Sequence, residues 1–407
     1  MARDFLPVLL GSDINVYGMA RSFHEAYGIN SVAVGKGILP VCTNSGIVQV
    51  KVVEPRLEED EIFVDTLLKF AKNYPGERLL LVPCGDNYIK MLVRNQDKLR
   101  GTYEFECISE ELLMRLSIKE SFYQVCTEHG FAFPKTMTCS YEDHKNLELP
   151  FDFPVIIKPS NSVAYWNCKF PHKKKVFVAE NREEFEAILD AIYGSSYKDH
   201  LIIQEFIPGD DSAMRVMNCY CGKDGKVKLV SLGRALLEEH SPEGIGSYAA
   251  IINTYDEKLN KTMIDFLEGI GYVGFANFDM KYDYRDGQYK LFEMNLRQGR
   301  SSFYVTAAGY NLAKFLADDV IYGKKMDLTV ATNKALYTII PKPIIFKYVK
   351  DEALKAEAKQ LIKEGKVCNS YFYDKDKNFK RRIQFLKNQY HYFEKYRRYF
   401  GNKGLRD

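Results

Sequence analysis

A strand that carries polar side chains at every second position narrows the choice of fold more than any other segment of this chain. Glu293, Asn295 and Arg297 follow an apolar run and alternate with Met and Leu. Side chains along a strand alternate between its two faces, so these three polar groups point the same way. A second strand-like run at 273–282, one short turn upstream, predicts a hairpin that brings Asp279 beside them. Carboxylate and carboxamide oxygens next to a fixed guanidinium are the groups that a magnesium-bound phosphate requires.

The same pattern has a simpler interpretation, which is a strand whose polar face lies in solvent. Phe275, Phe278 and Phe292 are close in sequence, however, and they indicate that the hairpin belongs to a partly buried sheet. A carboxylate in such a sheet needs a cation beside it, which favours metal or phosphate chemistry. From this segment alone both interpretations stay open.

The composition predicts a globular protein with enough apolar residues for a large core. Of the 407 residues, 46% are hydrophobic and 27% are charged, which suits about two to four structural units. No apolar run reaches the roughly 18 residues that span a bilayer, and the first residues lack the pattern of a signal peptide. The nine scattered cysteines form no Cys-x-x-Cys pair, which predicts reduced thiols and a cytoplasmic location.

The first part of the chain alternates strand-like and helix-like segments. Apolar strands are predicted at 7–10, 31–34 and 78–82, with a helix between the first two. This order is typical of a Rossmann-like, doubly wound α/β unit. It lacks a Gly-x-Gly-x-x-Gly fingerprint, so no dinucleotide is assigned to it. The turn at 11–13 is instead able to bind a small acidic ligand through backbone N–H groups at the start of the helix.

Further candidate groups lie between this unit and the hairpin. Lys158 ends the apolar strand 153–159 and Lys119 lies early in a helix, so each is able to meet a phosphate anion. Residues 204–207 form a strand end whose backbone can contact adenine, and Asp211 follows at a position suited to ribose hydroxyls. Taken singly, each of these residues is more often structural than functional. Their combination, however, predicts a nucleotide site.

In their order along the chain, these residues resemble the ATP-grasp superfamily of ATP-dependent carboxylate–amine ligases. The resemblance covers about residues 1–326 and implies two α+β subdomains that clamp ATP, behind an α/β, Rossmann-like pre-ATP-grasp domain. The implied units are the Rossmann-like domain (1–115), a lid subdomain with its linking helix (116–204), a subdomain with the Mg-ATP site (205–326) and a helical, basic C-terminal extension (327–407).

The resemblance also implies which residues contact the nucleotide. The implied contacts are Lys119 and Lys158 with the phosphates, Gln204, Glu205, Phe206 and Ile207 with adenine, and Asp211 with ribose. Many family members have a glycine-rich loop after the strand lysine, and this chain has none there. We therefore expect the hydroxyl of Ser160 or Ser162 to contact phosphate instead.

The metal ligands and catalytic arginines are implied in the same way. The implied ligands of one or two Mg²⁺ ions, for which Mn²⁺ can substitute, are Asp279, Glu293 and Asn295. Arg297 resembles the family's arginine for the transferred phosphate. For the implied reaction, we expect Arg297 and Arg300 to meet charge on the transferred group and the acyl oxygens. Arg234 and Arg215 are candidates for the substrate carboxylate.

Within the superfamily, the segments 158–166, 174–181 and 10–21 are most similar to the D-aspartate ligase type. This similarity implies that an amino-acid carboxylate is activated as an acyl phosphate and joined to an amine of a peptidoglycan precursor. Another ATP-grasp amino-acid or dipeptide ligase would show the same nucleotide residues. A non-catalytic ATP-binding scaffold at the cell envelope is the alternative of a different class, and the complete set of metal-site residues argues against it.

The end of the chain is strongly basic. Residues 377–406 contain ten Lys and Arg against one Glu, a net charge of +9, which leaves −6 on the remainder because the whole chain is +3. Such a tail suits a helix docked on the body, which we favour, or a weak contact with anionic lipid at the inner face of the membrane. A nucleic-acid partner is not expected.

Overall fold

The computed structural model describes residues 3–145, 147–242 and 244–401, and among them the side chains of all but 162 and 163. The strands are β1 (Leu6–Leu10), β2 (Ser31–Gly35), β3 (Val48–Val53), β4 (Leu79–Pro83), β5 (Thr136–Cys139), β6 (Val155–Pro159), β7 (Phe177–Ala179), β8 (Leu201–Glu205), β9 (Met214–Cys221), β10 (Val227–Glu238), β11 (Tyr248–Thr254), β12 (Gly274–Asp283), β13 (Gln288–Asn295), β14 (Thr329–Val330), β15 (Leu336–Thr338) and β16 (Val367–Asn369). The helices are α1 (Ile14–Tyr27), α2 (Asp60–Ala71), α3 (Asp86–Arg94), α4 (Gln96–Leu99), α5 (Glu110–Ser117), α6 (Lys119–Glu128), α7 (Ser162–Asn167), α8 (Arg182–Tyr193), α9 (Glu257–Gly269), α10 (Phe303–Ala307), α11 (Leu312–Val320), α12 (Lys342–Tyr348), α13 (Glu352–Lys363) and α14 (Phe379–Tyr399). None of the helices in these ranges is long and apolar enough to cross a bilayer.

The N-terminal unit is a parallel sheet in the order β3-β2-β1-β4, flanked by helices. All five residues of β1 are buried, as expected for a central parallel strand covered on both faces. Asp13 caps α1 by accepting hydrogen bonds from the backbone N–H groups of Asn15 and Val16. The prediction of a Rossmann-like opening is therefore confirmed.

The second sheet is antiparallel, in the order β5-β8-β6-β7, and α8 packs on it through Phe185, Leu189 and Ile192. The segment after the strand lysine, where many family members have a glycine-rich loop, contains the short helix α7. Asn161 caps α7 by accepting from the backbone N–H of Ala164 at 3.1 Å. This capping side chain is the local reason that the segment turns into a helix.

The largest sheet follows the order β13-β12-β9-β10-β11-β15-β16, and β14 pairs with β10. The predicted hairpin is β12 and β13, which are paired antiparallel. A helical C-terminal extension was predicted. Helices do dominate this region, but β14, β15 and β16 join the central sheet, so the extension is also a structural part of the body.

The basic helix α14 lies on the body, as the docked-helix interpretation predicted. Arg381 donates to the carbonyls of Val41 and Thr43 and forms an ion pair with Asp376 at 3.3 Å. Near the other end of the helix, the hydroxyl of Tyr396 donates to the carbonyl of Glu238 at 2.7 Å. These contacts tie α14 to the N-terminal unit and to the central sheet.

Candidate active site

The β12–β13 hairpin places its polar side chains on one face of the sheet. Asp279 lies opposite Glu293, and Asn277 lies opposite Asn295. The Asn295 amide donates to Asp279 Oδ2 at 3.1 Å and to Asn277 Oδ1 at 3.0 Å. Asp279 also accepts a 2.9 Å hydrogen bond from the hydroxyl of Tyr248 on β11. The structure thus brings together the three residues that were predicted as metal ligands.

Arg297 connects this group to the N-terminal unit. Its guanidinium donates to Asp86 at the start of α3 at 2.9 Å and approaches Asn295 Oδ1 at 3.4 Å. Its Nε is buried and has no hydrogen-bond partner among the described residues. A buried guanidinium N–H in this position suits an anionic ligand, because such groups are rarely left unpaired.

A ring of cations surrounds Glu293. Lys119 Nζ lies 3.8 Å from its Oε2. Partial burial opposes ionisation of Glu293, but Lys119, Lys158, Lys175 and Arg297 outweigh it and hold the pKa of this carboxyl below its usual range. These four cations exceed the two carboxylates of the hairpin. The surplus positive charge suits a polyanion such as a triphosphate.

The pKa values of the flanking groups show how crowded with charge the site is. Burial lowers the pKa of Lys158 to about 7, and the neighbouring charge of Lys119 adds to the shift. Burial also raises the pKa of Asp279 to about 7, with a further contribution from Glu293. Each shift would be relieved by a counter-charge of the opposite sign. The lysines would gain from an anion and the carboxylates from a cation.

A cavity of about 200 Å³ lies between the second sheet and the central sheet, next to Lys158. Its walls include Ile156, Phe206 and Ile207, and the apolar lining with a few polar groups suits a planar base. Gln204 also lines it and donates to the hydroxyls of Tyr123 and Thr136, both at 2.7 Å. The predicted adenine segment therefore does border a pocket of suitable chemistry.

Other predicted nucleotide residues use their side chains for different contacts. The Glu205 carboxylate accepts from the backbone N–H of Lys135 and pairs with Arg285, so its backbone is better suited than its side chain to contact adenine. Ser160 is exposed and donates to the carbonyl of His200 at 2.8 Å. The Ser162 side chain lies outside the described residues.

Asp211 is buried and already has two hydrogen-bond donors. It accepts from the backbone N–H of Glu238 at 3.0 Å and lies 2.7 Å from His240 Nε2. It borders a cleft of about 850 Å³ that shares Phe206 with the smaller cavity. A ribose hydroxyl that binds Asp211 would therefore have to lie beside the His240 side chain or replace it as a hydrogen-bond partner of Asp211.

The structure does not bring Arg234 to the metal ligands. Arg234 lies opposite Arg215, which lies opposite Met280, the residue after Asp279. Because neighbouring residues on a strand point to opposite faces, both arginines lie on the face away from Asp279. Arg234 pairs there with Asp351 at 3.2 Å, and Arg215 donates to the backbone next to it.

Arg300, in contrast, lies close enough to Asp13 to act on its charge, as Arg297 also does. It contacts the hydroxyl of Ser247 at 3.4 Å and lines a cavity of about 290 Å³. Asp13 and Tyr371 also line this cavity, together with the inner face of α14. Arg300 and Arg297 lower the pKa of Asp13, although burial raises it more. The cavity thus combines a cation and a carboxylate within the electrostatic reach of Arg297.

Sequence reasoning missed Lys175, Lys281 and Tyr248. Lys281 lies two positions after Asp279 on β12, so strand alternation would have placed it on the same face; it donates to the carbonyls of Ile207 and Gly209 at 2.8 Å each. Lys175 is brought in by folding of the second sheet, and its Nζ donates to the carbonyl of Ile245. No local pattern marks Lys175 or Tyr248.

The residues present fit a magnesium ion. Within the ranges that the structure describes, no group of three or more His, Cys, Asp and Glu side chains could hold a metal. The donor set is therefore two carboxylates and the Asn295 carboxamide, which can present its oxygen after a half-turn of the amide. Mg²⁺ suits so small a set because it keeps water and substrate phosphate oxygens as its other ligands.

Two solved structures have the same fold as this chain. The chain is similar to the L-amino acid ligase of Bacillus licheniformis, with a TM-score of 0.53, 15% identity, and coverage of 79% of this chain and 75% of that one. It is also similar to the biotin carboxylase domain of the 2-oxoglutarate carboxylase of Hydrogenobacter thermophilus, solved with MgADP, ADP and bicarbonate. That match has a TM-score of 0.58, 14% identity, and coverage of 82% and 74%. The chain therefore has an ATP-grasp fold.

A full-length relative identifies the family. No family model matches the chain. It is, however, 44% identical over 410 residues to the D-aspartate ligase of Enterococcus faecium (strain Aus0004), across 98% of this chain and 97% of that protein. The chain therefore belongs to the D-aspartate ligase family, and it is an ATP-dependent enzyme that forms carbon–nitrogen bonds between a carboxylate and an amine.

Proposed function

We propose that this enzyme activates a carboxylate of D-aspartate with ATP and joins it to an amine of a peptidoglycan precursor. The observation that carries the proposal is the 44% identity to a D-aspartate ligase over nearly the whole of both chains. The geometry supports it, because a cation-rich phosphate site lies beside a small cavity with groups of both charges.

ATP would bind with its adenine in the cavity beside Ile207. Its phosphates would point to the lysine ring, which consists of Lys119, Lys158 and Lys175 around Glu293. Lys158 lines that cavity and also lowers the pKa of Glu293, so it would lie between the adenine and the metal ligands. Lys119 and Lys175 would meet the terminal phosphates from α6 and from the second sheet. The chain's work here is positioning and charge neutralisation.

Asp279, Glu293 and Asn295 would hold Mg²⁺. When bound, Mg²⁺ neutralises phosphate charge and orients the terminal phosphate for transfer. Tyr248 would keep Asp279 in position by its 2.9 Å hydrogen bond. Asp86 would do the same for Arg297, whose guanidinium is aimed at the metal ligands.

The reaction would proceed in two displacements. A carboxylate oxygen of D-aspartate attacks the γ-phosphorus, the bond to the β–γ bridging oxygen breaks, and ADP leaves with the electron pair. The amine nitrogen then attacks the acyl carbon, the carbon–oxygen bond to phosphate breaks, and inorganic phosphate leaves while the nitrogen loses a proton. Arg297 would stabilise the charge on the transferred phosphate, and Arg300 that on the acyl oxygens.

The amino acid would bind in the cavity beside Arg300. Its volume of about 290 Å³ is at the small end of ligand sites. Arg300 would receive the carboxylate that does not react, and Asp13 would receive the ammonium group. Arg300, rather than Arg234, is therefore the arginine that we assign to the substrate, because Arg234 lies on the opposite face and pairs with Asp351.

Trapping of the activated carboxylate tests this proposal. Purified enzyme is incubated with ATP, Mg²⁺, hydroxylamine and single amino acids of either configuration, and the hydroxamate and ADP are measured. We expect hydroxamate with D-aspartate, its loss in Glu293→Gln, and normal amounts in the control Glu142→Gln, which alters an exposed carboxylate in the segment between β5 and β6.

Two results would count against the proposal. Hydroxamate with L-amino acids but not with D-aspartate would make the chain an amino-acid ligase of different specificity. ATP binding without hydroxamate from any amino acid would contradict carboxylate activation and would favour a scaffold role.

A further inference from the structure

Helix α14 carries an apolar stripe on the face that points away from the body. The stripe consists of five large side chains with exposed fractions of 39–78%, namely Phe379, Ile383, Leu386, Tyr390 and Phe393. Their spacing alternates between four and three residues, which keeps them on one side of an α-helix. Single exposed apolar residues are normal on protein surfaces, but a continuous row along one helix indicates an interaction surface.

The stripe is not a misplaced core face, because α14 has another face that is already buried. Arg381, Tyr392 and Tyr396 are buried against the body and form hydrogen bonds there. The 21 residues of the helix are about 32 Å long at 1.5 Å per residue. The outer face is therefore long and is supported from behind by the folded protein.

Basic side chains border the stripe on both sides. Along one side lie Lys380, Lys387 and Arg398. The opposite border has Arg382, and the C-terminal end of the stripe has Arg397. All five side chains are exposed. The helix contains a single acidic residue, Glu394. A partner must therefore offer an apolar surface and negative charge together.

We propose that the outer face of α14 docks on an anionic lipid bilayer, with the helix lying in the plane of the interface. The apolar stripe would enter the boundary between headgroups and acyl chains, and the flanking Lys and Arg would meet lipid phosphates. A second copy of the chain fits less well, because two such faces in contact would bring basic borders of the same sign together. Charge complementarity therefore favours an anionic membrane over a second copy of the chain.

This surface lies directly behind the proposed amino-acid cavity. Gln384 and Asn388, on the inner side of α14, line the cavity beside Arg300. Docking of the outer face would place the cavity within about one helix diameter, roughly 10 Å, of the lipid surface. The inference rests on the exposed stripe and its charges alone, and it stands independently of the identity of the amino acid.

Vesicle flotation with the full-length enzyme tests the inference. The probes are phosphatidylcholine vesicles with and without phosphatidylglycerol. We expect binding to the anionic vesicles only, and we expect it to weaken as salt rises. The double variant Leu386→Ser/Tyr390→Ser should bind at least about tenfold more weakly, because it removes two apolar anchors. The variant Lys387→Glu should weaken binding several-fold.

The matched control is Met114→Ser/Tyr255→Ser, which removes two apolar side chains of similar exposure that lie on α5 and after β11 rather than on α14. It should bind as the unmodified enzyme does. Both double variants should keep the thermal unfolding temperature and the hydroxamate activity without vesicles, so loss of lipid binding cannot be confused with loss of the ligase. Failure of the unmodified enzyme to float with phosphatidylglycerol would overturn the inference. A dimer in analytical ultracentrifugation that the stripe variant dissociates would also overturn it, since a second copy would then cover the stripe.

Discussion

Replacement of Glu293 by Gln removes one negative charge and one metal ligand without a change of shape. Glu293 lies 3.8 Å from Lys119 and within the field of Lys158, Lys175 and Arg297. Loss of its charge makes the lysine ring more positive. We therefore expect metal-free ATP to bind as tightly as before or more tightly, whereas Mg²⁺-dependent turnover falls about 100- to 1,000-fold, as for removal of one electrostatic contact to the reacting phosphate.

The assay combines two measurements on Glu293→Gln. Calorimetry gives the affinity for ATP with a chelator present, and ADP release gives kcat as a function of Mg²⁺ concentration. Circular dichroism confirms the fold, and Glu142→Gln serves as the charge-matched control. Near-normal kcat with an unchanged Mg²⁺ dependence would refute the metal assignment. A parallel loss of metal-free ATP binding would show instead that Glu293 organises the pocket.

Three further results follow from the structure. The pKa of Lys158 is about 7 without ligand, so ATP binding should take up a proton and should weaken as pH rises above about 7. Calorimetry in buffers of different ionisation enthalpy measures the proton uptake, and binding without proton uptake would contradict the expectation. Tyr248→Phe removes the hydrogen bond to Asp279 and should raise the Mg²⁺ concentration for half-maximal ADP release several-fold, whereas an unchanged value would exclude a positioning role. Asp376→Ala leaves Arg381 buried without its carboxylate and should lower the free energy of unfolding by about 3–5 kcal/mol, measured by urea denaturation; a change below 1 kcal/mol would show that α14 is not held by this pair.

Strand alternation was sufficient to predict that the three proposed metal ligands share one face of the sheet. Asp279, Glu293 and Asn295 lie on two strands joined by a short turn, so local periodicity determines which face they share. The Rossmann-like opening follows for a similar reason, because buried parallel strands such as β1 are continuous apolar runs.

The residues that the sequence analysis misplaced or did not find depend on contacts between segments that are distant in sequence. Arg234 was assigned to the substrate from its type, but the register of β9, β10 and β12 places it on the opposite face. Lys175 reaches the lysine ring only because the second sheet folds over the central one. The exposed stripe of α14 required knowledge of which helix face the body covers.

The most direct test of carboxylate activation follows the fate of a single oxygen atom. D-Aspartate labelled with a heavy oxygen isotope in its carboxyl groups is supplied with ATP, Mg²⁺ and hydroxylamine, and the released inorganic phosphate is analysed by mass spectrometry. If the substrate carboxylate attacks the γ-phosphorus, one labelled oxygen must leave with each phosphate when the nitrogen displaces it. We expect one labelled oxygen per phosphate released; phosphate without label, at normal ADP release, would contradict an acyl phosphate on the path to the amide.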